Sequence, residues 1–197
     1  MKQKIRKLFK LMTLSLVMSA PTWALAHSGH NVTAFTGLVD GLVHPFTGLD
    51  HLAAMLAVGV WSAVAVRPVW LAPLAFVVML TLGALLGFAG VHVPAVEPMI
   101  AASLLVMGLL MARRQRMPWA AAATVVGVFA VFHGAAHGSE LSTLQTWPAL
   151  AGMVTGSALL HAAGVLMGWR MTNRLWLQRS TGGALALLGS SLLVGLV

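Results

Sequence analysis

The sequence predicts an all-α fold: a polytopic membrane helical bundle with six transmembrane helices behind a cleavable leader. Hydrophobic residues make up 59% of the 197 residues, charged residues only 8%, and the mean hydropathy is +0.90. A soluble domain carries roughly 25% charged residues, so the composition indicates an integral membrane protein. Apolar segments near the ~20 residues that cross a hydrocarbon core alternate with short polar loops.

The N-terminal region has the features of a secretory signal peptide. Five basic residues precede an apolar stretch, Leu11–Ala20, and the small residues Ala24 and Ala26 then mark a cleavage site. We therefore predict a cleavable leader, residues 1–26, followed by a single transmembrane domain, residues 27–197. The alternative is an uncleaved first membrane helix, but Pro21 ends the apolar run short of the ~20 residues that a span needs.

The net charge of +8 and the pI near 11.8 come mostly from this leader, which holds five of the twelve basic residues. The rest of the chain has seven arginines against four acidic residues, so the charge does not indicate a nucleic-acid partner. The chain has no cysteine, which excludes a disulfide framework and a thiolate metal site. Any bound metal must therefore be held by imidazole and carboxylate groups.

Six apolar segments make up most of the remaining length. We predict spans at Thr47–Val66, Val69–Gly90, Ala95–Ala112, Pro118–His137, Thr146–Trp169 and Thr181–Val197. Every arginine of the mature chain falls in the loops after the first, third and fifth spans, and the positive-inside rule places those loops in the cytoplasm. We therefore predict a multi-pass protein in the lipid bilayer of the bacterial inner membrane, with both mature termini in the periplasm.

Glycines recur four residues apart within the predicted spans. The pairs are Gly83/Gly87, Gly134/Gly138, Gly152/Gly156 and Gly164/Gly168. Small residues at this spacing let two helix backbones approach closely inside a membrane. We expect these pairs to pack helices of one chain together. Dimerisation is the alternative, and the sequence does not indicate the oligomeric state.

A first cluster of histidines and a carboxylate surrounds the start of the first span. A single helix over Ala34–Val66 would be about 50 Å long, too long for a ~30 Å core, so the helix must break. Pro45 removes a backbone donor and disfavours helical geometry at His44. We expect a short outer helix that carries Asp40, then a break, then the spanning helix. The side chains in its first turns, near the outer face, are Asp50 and His51.

A second cluster ends the fourth span. In a helix His133, His137 and Glu140 share one face, because each residue adds 100°. Ionisable side chains are costly inside a membrane and are taken by default as functional. The fourth span runs outward, so we expect this cluster to meet the first one and bind a divalent transition metal. The predicted metal ligands are His44, Asp50, His51, His133, His137, Glu140 and His161.

Further polar side chains are assigned supporting positions. His161 lies roughly 22 Å deep in the fifth span, where a passing metal ion would meet it. We predict outer-side capture or a supporting role around the ligands for a second set of residues. This set is His27, His30, Asp40, His92 and Glu97. For each isolated histidine, the alternative is a structural side chain that is hydrogen-bonded within the bundle.

Three sequence motifs support a comparison with a known family. They are His44-Pro45-x-x-Gly48-x-Asp50-His51, Phe132-His133-Gly134-x-Ala136-His137-Gly138-x-Glu140 and Leu160-His161-x-x-Gly164. Together they resemble the HupE/UreJ family of bacterial membrane proteins over essentially the whole mature chain. The resemblance implies a secondary permease for nickel or cobalt that serves hydrogenase or urease maturation. It implies Ni²⁺ or Co²⁺, and less readily Zn²⁺, as the bound and transported ion, without a prosthetic group. We also expect a periplasmic or outer-membrane metal supplier as a partner.

Two functions of other classes remain open. Intramembrane zinc hydrolases also use a His-x3-His pair and an aspartate to hold Zn²⁺ and activate water. A membrane metal sensor or delivery protein would bind metal without transporting it. The sequence shows neither a substrate cleft nor a nucleotide-binding loop. We therefore predict a transporter that is not an enzyme.

Overall fold

The computed structural model describes residues 34–141 and 145–195, and the regular elements in those ranges are all helical. The α-helices are α1 (Ala34–Val43), α2 (Leu49–Ala65), α3 (Leu71–Phe88), α4 (Val96–Arg113), α5 (Trp119–Glu140), α6 (Thr146–Met171) and α7 (Leu175–Leu193). A short 3-10 helix, His44–Phe46, connects α1 to α2. The predicted leader, its cleavage site after Ala26, and the histidines His27 and His30 lie outside the described residues.

The chain bends by 76° between α1 and α2. Pro45 lies in the first turn of the 3-10 helix, where its missing N–H costs least. Gly48 then has an extended conformation, with φ −93° and ψ 124°, and α2 begins at the next residue. The predicted break is present, because α1 ends before His44 and Pro45, but the 76° bend itself follows them, between Phe46 and Leu49. This arrangement leaves Asp50 in the first turn of α2.

Four helices, α3 to α6, are long and apolar enough to cross a membrane, judged by length and composition. The bent pair of α1 and α2 brings the number to five if both halves belong to one span. The last helix, α7, has 19 residues but is not among these candidates. The prediction of an all-α protein with several apolar helices is confirmed, whereas the number of six spans is not.

The start of α7 differs from the predicted boundary. The hydropathy pattern predicts the last span at Thr181–Val197, but the helix begins at Leu175 and so includes Arg179, a residue predicted to lie in a loop. The side chain of Gln178 is buried, and its amide nitrogen donates to the carbonyl oxygen of Met171 at 2.5 Å. This hydrogen bond closes the turn between α6 and α7, so the helix starts earlier than the hydropathy pattern indicates.

Three helix pairs, α3 with α5, α4 with α7 and α2 with α6, make the most extensive contacts, and α1 packs on α6. Glycine brings their backbones together. A methyl group built on Gly134 would lie 2.0 Å from the carbonyl oxygen of Leu80, and one on Gly83 would lie 2.1 Å from that of Val131. Gly59 of α2 meets the carbonyl oxygen of His161 in the same way. The glycine pairs therefore pack helices of one chain, as expected.

Helix α2 lies at the centre of the bundle. Every residue from Ala57 to Val66 is buried, as is typical of a helix that is apolar on all sides. The side chain of Trp61 is fully buried, and its indole nitrogen donates to the carbonyl oxygen of Gln115 at 3.0 Å. The position of α2 is thus fixed on several sides, and its first turn presents Asp50 and His51 to the neighbouring helices.

Candidate metal centre

The two polar clusters predicted from the sequence meet in the structure. The imidazole of His51, on α2, lies between two imidazoles of α5, with ring centroids 4.9 Å from His133 and 4.4 Å from His137. His44, in the 3-10 helix, adds a fourth ring whose centroid is 4.8 Å from that of His137. The bend between Phe46 and Leu49 separates the two residues, so His44 contacts the end of α5 while His51 lies in the first turn of α2.

The more exposed end of this group combines two imidazoles and a carboxylate. Ligand atoms of His44, His137 and Glu140 all lie within 4.8 Å of one another, a spacing that can accommodate a metal ion. The Nε2 atom of His44 is 3.0 Å from a carboxylate oxygen of Glu140. The side chain of Glu140 is 56% exposed and that of His44 22%, whereas His137 is buried. This end of the group is therefore accessible from outside the bundle.

Asp50 orients His51. One carboxylate oxygen of Asp50 accepts hydrogen bonds from the backbone nitrogen of His51 at 2.8 Å and from its ring Nδ1 at 3.0 Å. A carboxylate only accepts, so Nδ1 of His51 carries the proton and Nε2 has the free lone pair. That Nε2 is buried and has no hydrogen-bond partner in the described part of the chain. Carboxylates that orient a metal-binding histidine in this way are common.

Ser103 of α4 contacts His133. The hydroxyl oxygen of Ser103 lies 3.0 Å from Nε2 of His133 and 2.6 Å from the carbonyl oxygen of Ile100. Both side chains are buried, with exposures of 2% for Ser103 and 0% for His133. The other ring nitrogen of His133, Nδ1, has no partner within the described ranges.

His161 lies beyond an aromatic ring, deeper in the bundle. The ring of Phe76 is 5.5 Å from that of His133 and 4.8 Å from that of His161. Nδ1 of His161 donates to the carbonyl oxygen of Ser157 at 2.6 Å, which leaves Nε2 with the lone pair. This Nε2 is also buried without a partner among the described residues. Phe76 therefore lies between the outer histidines and His161.

Buried ring nitrogens without partners are the feature that fits a metal. They are Nε2 of His51, Nδ1 of His133, both nitrogens of His137 and Nε2 of His161. A buried polar atom that lacks a hydrogen bond costs roughly 1–3 kcal/mol, so several in one group require an explanation. Neutral imidazoles with free lone pairs bind divalent transition metals, and carboxylates complete the donor set. The side chains present therefore fit such an ion.

Some of the residues predicted to play supporting roles lie close to the predicted metal ligands, and others do not. His92, Glu97 and Glu140 line a cavity of about 520 Å³ at the C-terminal end of α5. Glu97 and Asp50 line a second cavity of about 260 Å³. Glu97 is thus placed beside the metal ligands predicted from both clusters. Asp40 is exposed on α1, and its predicted role is not supported by a contact with the histidines in the described part of the chain.

Sequence reasoning missed Ser103 and Phe76. Ser103 is a polar residue in an otherwise apolar stretch of the third predicted span, and such a residue could have been noted as a candidate partner for another helix. Phe76 gives no comparable indication, because aromatic residues are common in apolar segments. Both contacts depend on how α3 and α4 are rotated about their axes, which a single sequence does not specify.

The chain is similar to known proteins over nearly its whole length. The family model described as HupE / UreJ protein matches residues 14–192. Protein HupE of Rhizobium leguminosarum bv. viciae is 39% identical over 193 residues, a match that covers 96% of this chain and 100% of that protein. No solved structure matches the chain. The matched range contains both polar clusters and His161.

Proposed function

Because the chain belongs to the HupE / UreJ family, we propose that it is a secondary permease for a divalent transition metal, nickel first and cobalt second. It would take up the ion across the bacterial inner membrane for the maturation of a hydrogenase or urease. The observation that carries this proposal is the series of neighbouring imidazoles from the exposed end at Glu140 to the buried His133, with His161 beyond the ring of Phe76. Most buried polar atoms in proteins are hydrogen-bonded, whereas His51, His133, His137 and His161 keep buried ring nitrogens without a partner among the described residues.

The first step of transport is capture at the outer end. His44, His137 and Glu140 offer two imidazole nitrogens and a carboxylate oxygen to an arriving ion, and Glu140 is accessible to it. The acidic side chains that line the two outer cavities, Asp50 and Glu97 among them, attract cations to the same end. His27 and His30 would act earlier, on the periplasmic side, by raising the local metal concentration.

The second step passes the ion inward. His51 and His133 follow His137 at ring distances below 5 Å, so an ion can exchange one imidazole for the next without leaving the donor set. Phe76 separates His133 from His161, and the ion must pass this ring to reach the deeper imidazole. Conduction requires several sites of moderate affinity rather than a single tight site, and a series of neutral imidazoles meets that requirement.

The choice of metal is supported by the family and not by the donor set. Imidazole and carboxylate suit Ni²⁺, Co²⁺, Zn²⁺ and Cu²⁺, and the Irving–Williams order does not favour nickel over copper. The donors therefore limit the substrate to a borderline divalent ion. Orientation follows from the arginines, with both mature termini in the periplasm, where a periplasmic or outer-membrane supplier would deliver the metal.

Uptake of labelled nickel by whole cells tests the proposal. Cells that express the chain should accumulate nickel, and the variant His137→Ala should not. Thr124→Ala is the matched control, because Thr124 lies exposed on the same helix and its hydroxyl donates to the carbonyl oxygen of Ala120. A hydrolase would give no accumulation, and a sensor or delivery protein would bind nickel without accumulating it. Either result would reject transport.

A further inference from the structure

We propose that Ser103 is a positioning residue of the metal path, a role that rests on the proposed function. It holds the imidazole of His133 in the tautomer that carries its proton on Nε2, so that Nδ1 is the nitrogen left for the metal. Ser103 belongs to α4, whereas the predicted ligands belong to α2, α5, α6 and the 3-10 helix. A helix without predicted metal ligands thus determines which atom of His133 acts.

The direction of the hydrogen bonds follows from their partners. The carbonyl oxygen of Ile100 can only accept, and the hydroxyl of Ser103 has a single proton, which it donates to that oxygen at 2.6 Å. Towards His133 the hydroxyl oxygen must therefore act as acceptor, at 3.0 Å from Nε2. Nε2 then carries the proton, and Nδ1 of the neutral ring carries the lone pair.

Burial makes Ser103 hard to replace. Its side chain is 2% exposed and that of His133 is 0% exposed, so bulk water does not reach the hydrogen bond. No other acceptor for Nε2 of His133 is found among the described residues. A serine in a helix readily bonds the carbonyl three or four residues earlier, which fixes the hydroxyl before the imidazole contacts it. The serine is thus preorganised to accept from His133.

Loss of the hydroxyl would leave His133 with two tautomers. In one, the proton stays on Nε2 and a buried N–H has no acceptor. In the other, the proton moves to Nδ1, which then has no free lone pair for the metal. Either result weakens His133 as a ligand. Partners that orient a metal-binding histidine typically change metal affinity by 10–100-fold when they are removed. We expect about a tenfold loss for Ser103→Ala, at the lower end of that range, because a serine hydroxyl is a weaker acceptor than a carboxylate.

The first test uses the purified full-length chain in lipid nanodiscs, titrated with Co²⁺ and followed by its visible ligand-field spectrum. Ser103→Ala should bind Co²⁺ about tenfold more weakly and with a changed spectrum. Ser103→Thr retains a hydroxyl that can bond the same carbonyl, so it should bind like the wild type. Ser62→Ala is the control for loss of a buried hydroxyl, since Ser62 donates to the carbonyl oxygen of Val69 and makes no hydrogen bond to a histidine in the described part of the chain.

The second test separates positioning from packing. In the background His133→Ala, adding Ser103→Ala should cause no further loss of Co²⁺ affinity, because the two side chains act as a unit. A further loss in that background, or equal losses in Ser103→Ala and Ser103→Thr, would overturn the proposal.

A third measurement does not depend on metal binding. Nitrogen-15 NMR of the metal-free chain, with the His133 signals identified by their absence in His133→Ala, should show the proton on Nε2 in the wild type and a changed proton distribution in Ser103→Ala. A proton on Nδ1 in the wild type would overturn the inference while leaving transport intact. Failure of the wild type to bind Co²⁺ would instead reject the proposed function and the inference together.

Discussion

The ring centroid of His51 on α2 lies 4.4 Å from that of His137 on α5, although the two residues belong to separate sequence motifs. This contact joins the two clusters into one group of side chains. The effects of mutations in the two clusters on nickel uptake should therefore not be independent.

If Asp50, His51, His133 and His137 hold one ion, the alanine variant of each should abolish nickel uptake. A double variant such as His51→Ala with His137→Ala should cost little more than either single change, because ligands of one site act as a unit. The measurement is uptake by cells with equal amounts of the protein. Additive losses in the double variants would indicate two independent sites.

Glu140→Gln should weaken capture. The glutamine keeps the length of the side chain and an acceptor for His44, but it removes the negative charge from the outer trio of His44, His137 and Glu140. We expect the external nickel concentration for half-maximal uptake to rise by about tenfold or more. Ser139→Ala, in the same turn, is the control, and its half-maximal concentration should stay near that of the wild type. An unchanged value in Glu140→Gln would remove the carboxylate from the capture step.

Gly134→Ala should loosen the pairing of α3 and α5. The added methyl group would meet the carbonyl oxygen of Leu80 at 2.0 Å, and overpacking of this kind typically costs about 1–3 kcal/mol. Thermal unfolding in detergent should show the loss, together with lower uptake because His133 is adjacent. Gly183→Ala is the matched control, since no other helix of the described residues lies within 4 Å of a methyl group at that position of α7. Its stability should be unchanged or higher, because alanine favours a helix by about 1 kcal/mol over glycine.

Reporter fusions test the orientation. All seven arginines beyond the leader fall in alternate predicted loops or at the helix ends beside them. A cytoplasmic reporter fused near Arg114 should therefore be active, and a reporter at Val197 should behave as periplasmic. Activity of a cytoplasmic reporter at Val197 would contradict the topology, and with it the outer position of Glu140.

Capture and passage should separate in transport kinetics. Replacing His27 and His30 should raise the external metal concentration for half-maximal uptake and leave the saturated rate nearly unchanged. Replacing His161 should lower the saturated rate even with abundant metal, because the ion passes this buried imidazole. Uptake curves at equal protein levels measure both. A reduced saturated rate in the terminal variant, or a normal one in the His161 variant, would reject this division of roles.

The sequence predicted the features that depend on local chemistry. A proline inside a long helical stretch indicates a break nearby, as Pro45 does, and Gly134 permits a close approach whichever helix faces it. The juxtaposition of His51 and His137 was predictable because the span order places both near one membrane face. The contacts of Ser103 and Phe76 were not, since they depend on helix rotation. The start of α7 was misplaced because a buried hydrogen bond from Gln178 extends the helix beyond its apolar stretch.

The close approach of α3 and α5 has a consequence for genetics. The obstacle to a larger residue at Gly134 is the main-chain carbonyl of Leu80, which every amino acid carries, and not the leucine side chain. A second substitution at Leu80 cannot make room for the added methyl group. Suppressors of Gly134→Ala should therefore be true revertants or changes that shift a whole helix. During evolution, a compensating change of the side chain at position 80 should not allow a larger residue at position 134.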